Sequence, residues 1–163
     1  VTIRNYVDYF KSVDLISTLP VYSGLKMGST KHPKIYFSDV GMKNALAGVL
    51  DAPLHETEKG LLAETTAFDH IKRLAYKLNA ASEGKIFCYC GEKGEVDFIL
   101  DLPRQKTKLA IEVKFRRSIK DLDGIKEFMQ EKKAEVGLVL TEGTLEKRGE
   151  IVLIPLWLFL LMC

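Results

Sequence analysis

The sequence predicts an α/β domain built on a mixed sheet flanked by helices and preceded by a helix and a hairpin. Three observations carry that prediction. The adjacent stretches 94–100 and 109–115 alternate apolar and polar residues with a period of two, as half-buried strands do. Residues 61–78 instead repeat their apolar side chains in steps of three and four, the period of a helix. The run 135–141 is apolar nearly throughout, which suits a central strand buried on both faces.

Taken in order, residues 2–13 place Ile3, Tyr6, Val7, Phe10 and Val13 at helical spacing, with Arg4, Asp8 and Lys11 outside the stripe, so an amphipathic helix is expected. Two strand-like runs follow, 16–22 and 34–37, separated by a polar and basic stretch. A helix followed by such a hairpin reads as the second half of a winged helix whose first half lies upstream. In that reading Arg4 faces a nucleic-acid groove, while Lys26 and Lys31 touch phosphate from the wing. The plainer alternative is a solvated helix face beside a basic loop. Ser38 or Asp39 caps a further helix through about Leu50, with Val40, Leu46 and Leu50 turned inward. The polar stretch 51–60, with its Pro and Gly, marks a linker. The expected organisation is a partial winged helix and connecting helix at 1–52, a linker at 53–60 and a second domain at 61–163.

In the helix that opens the second domain, Leu61, Phe68, Ile71, Ala75 and Leu78 form the inward stripe, and Glu64 falls on it. A carboxylate aimed at a core needs a partner for its charge. Glu64 is therefore either the third acid of a site or an edge glutamate bonded to a lysine or a backbone amide. A strand at 85–90 and a tight turn at 91–94 lead into the two alternating strands. Beyond them come the basic run Arg116, Arg117 and Lys120, a helix opened by Asp121 or Asp123 through Lys133, and strands at 135–141 and 151–154. The order α-β-β-β-α-β-β-α suits a mixed sheet between helices. Pro155 divides the apolar end into a strand and a short helix. As one helix, the last 13 residues would span about 20 Å, short of the roughly 30 Å of a bilayer core, so a buried closing element is expected and no membrane partner.

Composition narrows the function classes. Apolar residues at 47% and charged residues at 28% belong to a globular chain, and a net charge of +2 means that any phosphate-binding surface must be local. Cys88, Cys90 and Cys163 have neither zinc-finger spacing nor a paired framework, which points to a reducing, cytoplasmic setting with Cys88 and Cys90 as small buried residues. The absence of an initial methionine or leader suggests a piece of a longer protein.

The chemistry concentrates on the two alternating strands. Strict alternation puts Val96, Phe98 and Leu100 on one face and Glu95 and Asp97 on the other. In the second strand, Leu109, Ile111, Val113 and Phe115 oppose Lys108, Glu112 and Lys114. Asp97 beside Glu112 costs repulsion unless a cation lies between them, an arrangement that makes a hard-metal site with Lys114 alongside. The bland alternative is a cross-strand charged pair on a wet face, worth about 0.2–1 kcal/mol.

An acid followed about 15 residues later by acid-x-lysine on the neighbouring strand resembles the PD-(D/E)XK nuclease superfamily. The matching residues are Asp97 and Glu112-Val113-Lys114, with Glu64 as the helix-borne acid, over about residues 60–154. The resemblance implies a restriction-endonuclease-like sheet and Mg²⁺- or Mn²⁺-assisted phosphodiester hydrolysis. Asp97, Glu112 and the Val113 carbonyl would hold the ion, Lys114 would orient water or stabilise charge, and Arg116, Arg117 and Lys120 would bind flanking phosphates of DNA. A wider resemblance rests on the helix and hairpin, on 34–41, on 60–64 and on 94–98. Together these are similar to the C-terminal region of archaeal and bacterial AAA+ ATPases, in which a P-loop domain precedes a winged helix and a nuclease-like domain. The implied partners are DNA and that ATPase domain. The chain lacks Gly-x4-Gly-Lys-Ser/Thr, because in Gly24 to Thr30 the lysine is misplaced, so no ATP site is assigned to it. The rival readings are a non-catalytic nucleic-acid-binding module and a protein-interaction or self-association domain that regulates the ATPase.

Overall fold

The computed structural model describes residues 2–22, 32–49, 53–77, 85–102, 106–132 and 134–162. Lys26 and Lys31, and the helix ends expected at Leu50 and Leu78, lie outside these residues.

Among the described residues, α1 (Ile3–Ser12) is followed by the antiparallel pair β1 (Ile16–Leu19) and β2 (Lys34–Phe37), in register from Ile16 opposite Phe37 to Leu19 opposite Lys34. The helix forms as its period demands, but its apolar stripe is not covered. Ile3 is 84% exposed, and Tyr6, Tyr9 and Val13 are exposed too. Arg4 is also on the surface. In α2 (Val40–Leu46) the Asp39 carboxylate accepts the Met42 N–H at 2.6 Å, the expected N-cap, while Leu46 is exposed rather than inward.

The long helix α3 (Glu56–Lys77) starts earlier than the pattern suggests, so residues 56–60 of the expected linker are helical. Glu56 pairs with Lys59, and Glu58 accepts the His55 N–H at 2.9 Å, which satisfies a helix start that has no apolar signature. Leu61 is correspondingly exposed, and the buried stripe is Ala63, Ala67, Phe68, His70, Ile71 and Ala75.

The main sheet has the order β3-β4-β5-β6-β8-β7. The strands β3 (Lys85–Cys90), β4 (Glu95–Leu102) and β5 (Thr107–Lys114) form an antiparallel meander. After α4 (Asp123–Lys132), β6 (Val136–Thr141) runs parallel to β5, and β8 (Ile151–Pro155) runs parallel to β6. The short β7 (Glu146–Arg148), exposed throughout and without alternation to announce it, closes the edge against β8. The mixed sheet flanked by helices is thus as expected. Helices α3 and α5 (Leu156–Leu160) cover one face through Phe68, Ile71, Phe98, Ile111, Leu140 and Phe159. Helix α4 covers the other through Ile125 and Phe128 on Val96, Ile99, Ala110 and Val139. Val139 and Leu140 of β6 face opposite cores, as a strand buried on both sides must. No helix among the described residues is long and apolar enough to cross a membrane.

The hairpin β1–β2 does not stand apart from this body. Leu19 and Tyr36 belong to the same core as Phe68 and Phe98, and the chain beyond β1 bonds to the edge strand, Tyr22 N–H to Cys88 O at 2.6 Å and Cys88 N–H to Pro20 O at 2.9 Å. That contact fixes where the residues of β2 reach.

Two predictions follow from the packing. A Cβ at Gly124 would lie 2.8 Å from the Glu95 carbonyl oxygen, backbone that cannot swing away, so Gly124→Ala should cost about 1–3 kcal/mol in denaturant unfolding. His70, 6% exposed and set against the Phe159 ring at 5.1 Å, has its pKa lowered chiefly by burial. The unfolded chain then takes the proton first, so the stability His70 contributes is complete above about pH 6.5 and is lost as pH falls through the lower folded value. Acidification from about pH 7.5 to about pH 5.5 should therefore cost the native protein more than His70→Gln, measured as urea midpoints.

Candidate acidic cleft

The site begins with an irregularity in β4. Between the pairs Phe87–Ile99 and Tyr89–Val96, β4 carries one more residue than β3, which makes a β-bulge around Asp97 and Phe98. Strict alternation therefore fails here. Val96 packs toward α4 with Ile99, whereas Phe98 stacks on Phe68 of α3, with ring centroids 5.6 Å apart. The expectation that Val96 and Phe98 share a face is corrected by this extra residue, and Asp97 is re-aimed by it. The pairing of β4 with β5 reaches Phe98 opposite Ile111. At the next position the Asp97 side chain takes over, its Oδ2 accepting the Val113 N–H at 2.9 Å. In β5 the alternation holds, with Ile111, Val113 and Phe115 on the α3 side.

The other oxygen of Asp97 meets a lysine from the hairpin. Lys34 Nζ lies 2.9 Å from Asp97 Oδ1, 3.3 Å from Glu64 Oε1 and 3.8 Å from Glu95 Oε2. Two residues along β2, on the same strand face, Tyr36 donates its hydroxyl to Glu64 Oε1 at 2.5 Å. Burial alone would lower the Lys34 pKa, but the Asp97 and Glu64 carboxylates outweigh it and hold the ammonium well above its ordinary value. Burial, and then the charge of Glu64, push the Tyr36 phenol far up, so it remains a donor. Glu64, unexplained by the stripe of α3, thus owes its inward position to a lysine and a tyrosine of β2.

The second charged pair is on β5. Lys114 Nζ lies 2.6 Å from Glu112 Oε1, while Glu112 Oε2 has no hydrogen-bond partner although the residue is only 5% exposed. Burial raises the Glu112 pKa, against the pull of Lys114. Glu64, Asp97, Glu112 and Lys114 all line one cleft of about 210 Å³, together with Glu95 and Asp121. The four residues singled out from the sequence therefore converge. Gly94 and Gly124, the latter at the start of α4, also line the cleft, and their backbones approach each other closely. The turn leading to Gly94 is held by the buried Glu127, whose two oxygens accept the N–H groups of Glu92 and Lys93, each at 3.1 Å.

The remaining positively charged candidates are not in the cleft lining. Arg116, Arg117 and Lys120 are exposed in the segment between β5 and α4, which also carries Asp121 into the cleft, and Arg117 reaches Glu142 at 3.5 Å. Arg4 is on α1. Cys88 is buried, and Cys90 is partly exposed with its sulfur 3.8 Å from Glu95 Oε1. Among the described residues, no group of three or more His, Cys, Asp or Glu side chains is disposed to hold a metal ion. Sequence reasoning missed Lys34, Tyr36, Glu95, Asp121 and Glu127 as members or supports of the site. The signal that could have found the first two is Lys-x-Tyr at strand period, two polar heads on one face of an otherwise apolar strand.

Removing the Tyr36 hydroxyl leaves its ring against Phe68 and Phe98 but withdraws a bond to a charged group. Tyr36→Phe should therefore destabilise the protein by about 1.5–3 kcal/mol in denaturant unfolding. A change below about 0.5 kcal/mol would mean that water replaces the hydroxyl without loss.

Comparison with known proteins separates the chain into two stretches. Residues 1–52 match a family described as a domain of unknown function (DUF8612), and residues 59–159 match another described as a domain of unknown function (DUF4143). No curated protein and no solved structure matches significantly. Lys34, which pairs with Glu64 and Asp97, thus comes from the first stretch, and the five acids that line the cleft, Glu64, Glu95, Asp97, Glu112 and Asp121, come from the second together with Lys93 and Lys114. With more than half of its length in the second match, the chain belongs to the DUF4143 family, a domain known to occur in AAA-ATPase-associated proteins.

Proposed function

We propose that the cleft is the centre of a nuclease-like, nucleic-acid-binding domain of an AAA+ ATPase, one that holds a divalent metal ion and hydrolyses a phosphodiester bond. The observation that carries this reading is the unpartnered Glu112 Oε2, a buried carboxylate oxygen in a cleft it shares with Asp97 and Lys114. A buried acceptor without a partner costs free energy unless a ligand supplies the missing interaction. The donor set suits Mg²⁺ or Mn²⁺, since Mg²⁺ is ordinarily held by one or two carboxylates with several waters. Asp97 and Glu112 would supply the carboxylates and Val113 its carbonyl. Such an ion, when bound, lowers the pKa of a coordinated water and offsets charge on the phosphoryl oxygens.

The residues of the chain do the rest. Val113 N–H fixes the Asp97 carboxylate through Oδ2, so its orientation needs no rearrangement on binding. Lys114, held at 2.6 Å by Glu112, places an ammonium at the mouth of the same cleft, where it can orient water or stabilise developing charge. Arg116, Arg117 and Lys120 supply an exposed basic margin on the segment that borders the cleft, suited to flanking phosphates.

A second reading is favoured by one observation: both oxygens of Asp97 are already bonded, to Lys34 and to Val113 N–H. A cleft neutralised in this way suits a module that binds nucleic acid without cutting it.

The two readings separate in one assay. With Mg²⁺ or Mn²⁺, the catalytic reading expects cleavage of single- or double-stranded DNA that falls by at least about 100-fold in Asp97→Asn and in Glu112→Gln. Cleavage that survives both substitutions contradicts the roles given to these residues. If DNA is retained but not cut, with affinity falling steeply as salt rises and the salt slope reduced by about one for each of Arg116 and Arg117 neutralised, the binding module stands.

A further inference from the structure

The ammonium of Lys34 sits among carboxylates that line the cleft. It lies between two carboxylates of different elements, Asp97 at 2.9 Å and Glu64 at 3.3 Å, with Glu95 at 3.8 Å. Three carboxylates gathered in one place repel each other unless a cation stands among them. The cleft satisfies that requirement from inside the chain. On its other side Lys114 serves only one oxygen of Glu112, and Oε2 is buried without a hydrogen-bond partner, so the acids are served unequally: Asp97 and Glu64 share one ammonium while Glu112 keeps an unpaired oxygen.

We propose that Lys34, carried by the N-terminal hairpin onto two acids of the cleft, takes the place of a second metal ion, so that the cleft binds one divalent ion at Asp97 and Glu112 and excludes another from Asp97 and Glu64. This inference rests on the metal-dependent reading of the same cleft. It makes the site composite. The hairpin β1–β2 sets how many ions the acids of α3, β4 and β5 can take, and Tyr36 keeps Glu64 aimed at the lysine instead of at solvent. A fixed ammonium on the two acids differs from an exchangeable ion in one further respect: chelators cannot remove it. Lys34 acts through Asp97 and Glu64 and is a positioning residue, with no contact to substrate assigned to it.

The test is the stoichiometry of Mn²⁺ binding by titration calorimetry on the full chain, compared with Lys34→Met and Lys34→Arg. The native protein and Lys34→Arg should bind one ion. Lys34→Met should bind two, and its thermal midpoint, lowered without metal because three carboxylates have lost their cation, should rise with Mn²⁺ by more than that of the native protein. Lys34→Arg guards against misreading a folding defect, since it keeps the charge while changing the side chain. Two ions in the native protein, or one in Lys34→Met as in the native protein, would overturn the inference and leave the metal-dependent reading standing. No ion in the native protein but one in Lys34→Met would support the role of Lys34 while overturning the assignment of Asp97 and Glu112. No ion in either would overturn both.

Discussion

The ammonium of Lys34 among Glu64, Asp97 and Glu95 is the interaction on which the rest of the molecule depends. It joins three elements that have no reason of sequence proximity to meet: a strand of the hairpin, the long helix and the bulged strand of the sheet. Bringing charged groups this far out of water is costly, and the pairs offset the cost only because their geometry is good and further donors share the load. Tyr36 O–H on Glu64 and Val113 N–H on Asp97 are those donors. Beneath the charges, Tyr36, Phe68 and Phe98 form a contiguous aromatic cluster with centroids 4.7–5.9 Å apart, so the same strand that carries the lysine is fixed by apolar burial. Polar and apolar anchors thus share one face of β2, Lys34 and Tyr36 two residues apart, while Ile35 between them is exposed.

The bulge in β4 gives the cleft its shape. Without the extra residue, Asp97 and Phe98 would point to opposite faces, and the carboxylate could not lie beside the helix on which Phe98 packs. With it, Asp97 serves two masters at once, a backbone amide of β5 and a lysine of β2. Two glycines also line the cleft, Gly94 and Gly124, whose backbones approach so closely that a Cβ at Gly124 would meet the Glu95 carbonyl oxygen at 2.8 Å. Glu127 locks the turn that leads to Gly94 by accepting two of its N–H groups. A bulge, a glycine contact and a capped turn thus leave an acidic hollow at the end of an otherwise well-packed sheet.

Much of this was legible in the residues. The periodicity of 107–114 and 136–141, the capping role of Asp39 and the division of the apolar end at Pro155 follow from local rules, and local rules decide strands and helix starts. Glu64 could be named because a carboxylate on the inward stripe of a helix demands an explanation, and Asp97, Glu112 and Lys114 because strand alternation gathers them on one polar face in an acid, acid-x-lysine order. What could not be read was anything set by contact between distant segments. The bulge depends on how β3 and β4 register together, and neither strand shows it alone. Lys34 looked like the polar first residue of a short strand, since its partners are 30 and 63 residues away. The stripe of α1 pointed to a buried face, yet amphipathic spacing reports only that a face is apolar and says nothing of what covers it. The early start of α3 escaped notice because its first turn is held by charge and capping rather than by apolar period.

The most direct measurement is a crystal structure of the full chain grown with Mn²⁺ and read by anomalous scattering. One peak is predicted within about 2.0–2.3 Å of Glu112 Oε2 and an oxygen of Asp97, with Lys34 Nζ still seated on Asp97 and Glu64. A peak at the position of Lys34, or a cleft without any peak at saturating Mn²⁺, would contradict it.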